Sequence, residues 1–141
     1  CIILAILVTV ICLTEASMQR VTVKGVAVCH KHRVANVLVE LWERDPVSND
    51  LLASIHTNKD GEFSLTGEND EITAISPFVR IHHDCQVAAK KHWRCTRQTE
   101  YDVPSEFVMT EETNEKMQYD MTYVSLDIFD TDEKEHCERK N

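Results

Sequence analysis

The pattern that decides the fold of this chain lies in the stretch Val37-Leu38-Val39-Glu40-Leu41-Trp42. Its odd-numbered positions are all aliphatic, whereas its even-numbered positions mix apolar and polar side chains. Successive side chains of a strand point to opposite faces, so a period of two predicts a β-strand with one face on the core. The outer phase is less polar than in most half-buried strands.

Similar alternation appears on both sides of this stretch. Valines alternate over residues 21–28, and their phase slips by one residue at Gly25, which predicts a β-bulge in a first or edge strand. A third strand begins at Leu51 and ends near Thr57. The turn Asn58-Lys59-Asp60-Gly61 then predicts a tight hairpin to a fourth strand through residues 63–65.

The second half of the chain also shows patterns typical of β-strands. Pro77 predicts either the start of a strand that runs to His83 or an edge position, and a further strand covers Tyr119 to Phe129. One helical turn is expected near Ser105–Glu115. In the strand predicted over residues 93–103, the phase that faces the core is expected to consist of Trp93, Cys95, Arg97, Thr99, Tyr101 and Val103. No sustained helical stripe appears, so the chain is predicted to be all-β, a two-sheet β-sandwich of seven to eight strands.

The N-terminal segment reads as a secretion signal. Residues 2–13 are almost wholly apolar, too short to span a bilayer, and small residues follow them. Cleavage is expected after Ala16, and the natural start is expected upstream of Cys1. The predicted organisation is a signal peptide over residues 1–16, a sandwich domain over 17–129 and a charged tail over 130–141. The tail is expected to be mobile except where Cys137 pins it.

Four cysteines remain after this cleavage, which in a secreted small domain predicts two disulfides. The favoured pairing joins Cys85 to Cys95 across the mouth of a hairpin and leaves Cys29 for Cys137. A second pairing, Cys29 with Cys95 and Cys85 with Cys137, stays open. Spacing alone does not decide among the three connectivities.

The charge and the histidines limit the chemistry. A net charge of −9 argues against nucleic-acid binding and against a purely electrostatic grip on anionic lipid. His30 and His32 could offer a ligand pair on one strand face, but His82 and His83 should point to opposite faces. Disulfide-bonded cysteines are neither metal ligands nor nucleophiles. We therefore predict no metal, no cofactor and no catalytic residue.

Two groups of residues are candidates for a contact surface. Leu38 and Trp42 share the outer phase of their strand, and an exposed pair would mark a binding site. The alternative is that both pack under a neighbouring loop or the acidic segment. Lys90, Lys91 and His92 lie in the segment between the two central cysteines and should be displayed by it.

Several short motifs occur in the order found in one known family. They are Val23-Lys24-Gly25-Val26-Ala27-Val28-Cys29, Val37-Leu38-Val39-Glu40-Leu41-Trp42, Asp50-Leu51-Leu52-Ala53, Thr57-Asn58-Lys59-Asp60-Gly61-Glu62-Phe63-Ser64-Leu65, Ile81-His82-His83-Asp84-Cys85, Trp93-Arg94-Cys95 and Tyr101-Asp102-Val103-Pro104. Together they resemble the nematode transthyretin-like family over nearly all of residues 21–137. The resemblance implies a transthyretin-like (immunoglobulin-like) sandwich in an extracellular, cell-surface protein whose ligand is undefined. The segment Gln86 to His92 is longer than that family's pattern.

The most favoured function is therefore that of a secreted, non-enzymatic binding protein. Its partner would be an unidentified protein, lipid or small apolar ligand at the cell surface, with no transmembrane segment and no predicted oligomeric state. One alternative is a small-molecule hydrolase of the hydroxyisourate type, which shares the fold. That enzyme ends in Tyr-Arg-Gly-Ser, whereas this sequence ends in Cys137-Glu138-Arg139-Lys140-Asn141. Another alternative is a structural secreted component without a ligand.

Overall fold

A computed structural model describes residues 2–4, 9–11, 17–71, 74–110, 117–129 and 133–141. Apart from one 3₁₀ turn at Ser105–Phe107, every regular element in this part of the chain is a strand. The strands are β1 (Ile2–Leu4), β2 (Thr9–Ile11), β3 (Ser17–Cys29), β4 (His32–Arg33), β5 (Leu38–Glu43), β6 (Asp50–His56), β7 (Glu62–Glu71), β8 (Pro77–His83), β9 (Trp93–Asp102), β10 (Met109–Thr110), β11 (Tyr119–Ser125) and β12 (Lys134–Arg139).

Two five-stranded sheets form the sandwich, and β1 and β2 form a separate two-stranded ladder. In the first sheet β3 is central: it pairs with β7, β10 and β4 antiparallel and with β11 parallel. The second sheet has the order β12-β9-β8-β5-β6, with every pair antiparallel. The predicted all-β two-sheet sandwich is confirmed. It has more strands than the predicted seven or eight, because β4 and β10 are two residues long and β12 lies in the charged tail.

The core lies between the sheets, and in β5 it follows the predicted phase. In β5, Val39 and Leu41 are fully buried, while Leu38 and Trp42 lie on the other face. Each buried aliphatic side chain contributes roughly 1.5–3 kcal/mol relative to an exposed one. The other fully buried aliphatic side chains and alanines are Val21, Val23, Ala27, Val79, Ile81 and Leu126.

The predicted bulge at Gly25 is wrong. The ladder between β3 and β7 runs without a break through the pair Gly25–Phe63, so the inward phase continues to Ala27. A Cβ atom at Gly25 would lie 2.7 Å from Cζ of Phe63, so glycine makes room for that ring. The irregularity lies instead in the partner strand β11, where Thr122 has a φ of 57°.

The predicted hairpin at residues 58–61 is also wrong. The turn is tight as expected, with Gly61 at a φ of 75°, but β6 belongs to the second sheet and β7 to the first. Thr57 directs this crossing, because its N–H donates to the Val37 carbonyl at 2.9 Å and its hydroxyl donates to the Val34 carbonyl at 2.7 Å. The chain therefore turns the corner of the sandwich and β7 pairs with β3.

Two disulfides join the four cysteines, as expected, but both pairings considered from the sequence are wrong. Cys29 bonds Cys85 between the sheets, and Cys95 bonds Cys137 within the second sheet. The ladder of β8 and β9 ends at the pair His83–Arg97, and the chain then turns away, so Cys85 leaves the sheet before it can face Cys95. Pairing of β12 with β9 places Cys137 directly opposite Cys95 instead.

The charged tail forms more structure than the sequence suggested. We expected a mobile segment, yet Lys134–Arg139 pairs along the whole first half of β9. Its side chains are mostly exposed, so backbone hydrogen bonds and the disulfide hold it rather than apolar burial. Among the described residues, no helix has the length and hydropathy needed to cross a bilayer.

Candidate functional site

An apolar cleft opens at the edge of the sandwich where β9 faces β11. Its volume is about 370 Å³. Three of its residues are unusually exposed for their type: Tyr123 at 62%, Ile128 at 65% and Phe129 at 64%. The full lining is Thr99, Tyr101, Tyr119, Met121, Tyr123, Val124, Ser125, Ile128 and Phe129.

The wall formed by β11 follows from its sequence. Tyr119 and Met121 pack partly on the core, and the Tyr119 ring lies 5.0 Å from that of Phe107. The irregular backbone at Thr122 interrupts the ladder to β3, and Tyr123 follows it with its ring largely in solvent. β11 then ends at Ser125, and the turn that follows carries Ile128 and Phe129 to the rim.

A buried arginine holds this turn in place. Arg97 donates from Nη1 to the carbonyls of Cys85 at 2.7 Å and Leu126 at 2.8 Å, and from Nη2 to that of Ile128 at 3.3 Å. Its guanidinium also lies 3.9 Å from the centre of the Phe129 ring. The rim of the cleft is therefore tied to β9 through one side chain.

The charge of Arg97 is compensated by Glu133. Arg97 Nε donates to one carboxylate oxygen at 2.9 Å, and Nη2 donates to the other. The Thr99 hydroxyl donates to that second oxygen at 3.0 Å. A buried charge is tolerated only when it is paired and hydrogen-bonded, and this pair satisfies both conditions. The alternation of β9 predicts Arg97 on the core-facing phase, but no local pattern indicates its partners, which lie 12–36 residues away along the chain.

His83 lies at the other side of the same network. Its Nδ1 accepts the backbone N–H of Cys85 at 3.1 Å, and its Nε2 lies 3.0 Å from the Thr99 hydroxyl. Burial lowers the pKa of His83 to about 4, and the positive charge of Arg97 acts in the same direction. The imidazole is therefore neutral near neutral pH and serves as a structural hydrogen-bond partner.

The outer face of the second sheet is not a bare apolar patch. The guanidinium of Arg80 lies over the Trp42 ring at 4.8 Å, and that of Arg44 lies over the Phe78 ring at 4.1 Å. Phe78 is fully buried beneath these cations. Leu38 and Trp42 are only partly buried, and their role as a contact surface stays a prediction.

The other predicted contact residues lie elsewhere. Lys90, Lys91 and His92 are exposed on the segment that leads into β9, with Lys90 Nζ 3.4 Å from a Glu135 oxygen. Strand β8 separates β9 from β5, which carries Leu38 and Trp42. The two groups therefore do not form one surface.

The histidines are arranged differently from the ligand pair considered above. His30 lies in a turn with a φ of 50° and His32 begins β4, so they do not share a strand face. His82 and His83 do face opposite ways: His82 contacts Glu40, and His83 contacts Thr99.

Three carboxylates cluster at the end of β5, on Glu43, Asp50 and Glu71. Glu43 is buried at a core-facing position, and its carboxylate accepts a hydrogen bond from the Asn69 amide. Burial raises the pKa of Glu43, although the hydrogen bond from Asn69 opposes this shift.

The fold and the cleft together define a β-sandwich with two disulfides and an apolar cavity at one edge. The profile of the Transthyretin-like family matches residues 24–104. Transthyretin-like protein 16 of Caenorhabditis elegans is 45% identical over 124 residues, covering 87% of this chain and 86% of that protein. Transthyretin-like protein 33 of the same nematode is 34% identical over 121 residues, covering 84% and 82%. The chain belongs to the Transthyretin-like family.

Proposed function

We propose that this chain is a secreted, non-enzymatic binding protein that takes a small apolar ligand in the edge cleft. The observation that carries the proposal is the grouping of Tyr123, Ile128 and Phe129, each more than 60% exposed, around one cavity. Single exposed apolar side chains are ordinary on protein surfaces, but several that line the same concavity indicate a binding site.

The size and chemistry of the cleft favour a small molecule. A volume of about 370 Å³ lies at the lower end of the range for small-molecule sites. Three tyrosines contribute apolar rings with a hydroxyl at one end, which suits a ligand that is mostly apolar and carries one polar group.

Rigidity of the surroundings supports binding as well. Arg97 ties the Ile128 carbonyl to β9, and the Phe129 ring stacks on its guanidinium. A cavity whose walls are already ordered loses little conformational entropy when a ligand enters.

The extracellular assignment rests on different features. Two disulfides are typical of proteins that fold in an oxidising compartment. The apolar N-terminal run followed by small residues is typical of a cleavable secretion signal. Resemblance to the nematode family adds the expectation of a cell-surface setting.

A binding role fits the cleft better than hydrolysis does. The described residues that line it include no histidine, lysine or carboxylate that could act as a general base. The competing hydrolase of the hydroxyisourate type predicts turnover of that substrate, and a direct assay separates the two functions.

The binding proposal is tested with a neutral fluorescent naphthylamine probe. The double variant Tyr123→Ser/Ile128→Ser removes two exposed side chains and should leave stability nearly unchanged. Burial of such a side chain is worth roughly 1.5–3 kcal/mol, so we expect probe affinity to fall at least about tenfold. The matched control is Val47→Ser, which is 93% exposed in the loop between β5 and β6 and should bind as the parent does. Equal probe affinity in the parent and the double variant would contradict the proposal.

A further inference from the structure

The loop and the first part of the strand after Cys85 are positively charged, although the protein as a whole is acidic. Between Cys85 and Thr99 the sequence carries four cations and no acid, although the whole chain has a net charge of −9. Arg97 is buried and paired with Glu133, so the other three, Lys90, Lys91 and Arg94, supply the exposed charge.

The end of the edge strand β12 and the residue after it add two further cations at the same place. Arg139 lies directly opposite Trp93 in the ladder of β12 and β9. The Lys140 backbone N–H donates to the His92 carbonyl at 2.8 Å, and Lys140 Nζ donates to the Lys90 carbonyl at 2.9 Å. Arg94 lies on the opposite face of β9 from Trp93, where its ladder partner is Glu138. We call the surface around Trp93 the basic corner; its members are Lys91, Trp93, Arg139 and Lys140.

Two of the three charges of the basic corner are not used to hold the fold. Within the described residues, the side chains of Lys91 and Arg139 form no hydrogen bond and no ion pair, whereas Lys90 is paired with Glu135. Trp93 is 46% exposed between them, although its phase in β9 predicted a core position. Unpaired cations around an exposed indole are available to an external partner.

We propose that the basic corner binds a sulfated polysaccharide chain. Ammonium and guanidinium groups pair with sulfate oxygens, and the fork of a guanidinium can engage two of them at once. The exposed face of Trp93 offers an apolar surface for the sugar ring between two sulfates. None of the four members lines the edge cleft, so this site is additional to the proposed ligand site.

Shape and long-range charge favour a polysaccharide over an anionic membrane. A linear chain can contact the corner alone, whereas a flat anionic surface also faces the acidic remainder of the protein within about a Debye length. Membrane attachment also requires several inserted apolar side chains, and Trp93 is the one large exposed apolar residue among the described members of this corner.

The test measures binding of a heparin-derived oligosaccharide to the full chain by titration calorimetry at several salt concentrations. The variant Lys91→Gln/Arg139→Gln removes two unpaired cations, and we expect its affinity to fall about tenfold or more, with a weaker salt dependence. The matched control, Lys31→Gln/Lys59→Gln, removes two exposed cations elsewhere and should bind as the parent does. The variant Trp93→Ser should weaken binding without changing its salt dependence.

Three results would overturn the proposal. One is equal affinity of the parent for the same oligosaccharide after its sulfates are removed. Another is equal loss of affinity in the two lysine-containing double variants. The third is binding of the parent to phosphatidylserine vesicles but not to the oligosaccharide. All variants should bind the naphthylamine probe normally, so failure here is distinguishable from failure of the cleft proposal.

Discussion

At the scale of single residues, the protonation state of His83 is fixed by its neighbours. The Thr99 hydroxyl donates to Glu133, so its oxygen is free to accept from Nε2 of His83. Nδ1 is occupied as an acceptor by the Cys85 N–H. A second proton on the ring would oppose that N–H and would place a positive charge in a buried site beside Arg97.

His83 is therefore predicted to make the protein less stable in acid. Its pKa is about 4 in the folded state against 6.5 for an ordinary histidine, so the unfolded chain takes up the proton first. The contribution of His83 to stability is fully present above pH 6.5 and is lost as the pH falls towards 4. A shift of this size corresponds to a loss on the order of 3 kcal/mol. Urea unfolding at pH values from 7 to 4 measures it.

The variant His83→Asn isolates this effect. Asparagine can still accept the Cys85 N–H but does not titrate, so its stability should fall less steeply over the same pH range. His56→Asn, at an exposed position in β6, should follow the parent. Parallel pH profiles for the parent and His83→Asn would show that another group controls the acid response.

At the scale of elements, the edge strand β12 is held by unusual means. It buries almost no apolar surface, and it depends on the ladder to β9, on the disulfide to Cys95 and on the contact of Glu133 with Arg97. An exposed edge strand with charged side chains resists pairing with other chains. The same composition leaves little to retain β12 once the covalent link is removed.

Removal of the Cys95–Cys137 disulfide is predicted to release β12 locally. The double variant Cys95→Ala/Cys137→Ala should lose amide-exchange protection over residues 134–139 while β3 and β8 keep theirs. Chain-entropy arguments give about 4 kcal/mol for a crosslink between residues 42 apart. The comparison variant Cys29→Ala/Cys85→Ala removes the link between the sheets and should lower protection throughout the sandwich. Unchanged protection of β12 in the first variant would contradict this account.

At the scale of the whole molecule, the proposed secretion signal and the sandwich meet at one point. β3 begins at Ser17, and its ladder to β7 starts with the pair Ser17–Glu71. Cleavage after Ala16 would remove β1 and β2, which in the described part of the chain pair with each other and with no strand of the sandwich, and would leave both described sheets in place.

The natural protein recovered from extracellular fluid is therefore predicted to begin at Ser17. Thr14 and Ala16 provide the small side chains that a signal peptidase requires, and the apolar run precedes them. N-terminal sequencing gives the answer directly. Recovery of a mature chain that retains Ile2 would contradict the predicted cleavage.

Much of the candidate site was beyond the reach of sequence reasoning. The cleft joins β9 to β11 and the turn after it, and no local pattern marks Ile128 or Phe129 as rim residues. The buried position of Glu43 could have been inferred, because it continues the inward phase of Val39 and Leu41. However, Glu43 is charged, whereas the other inward-facing positions of β5 are apolar, so the alternation alone does not predict its burial.

The sequence by itself determined what depends on neighbouring residues: the all-β class, the alternation of β5 and β9, and the start of β8 at Pro77. These features follow from side-chain period and backbone stereochemistry, which act over a few positions. The tertiary structure alone decided which strands pair, and hence that β7 joins β3, that Cys29 reaches Cys85 and that Arg97 meets Glu133. Segments that are distant in sequence can pair with the same strand edges, and the packing of the whole sandwich decides which pairing forms.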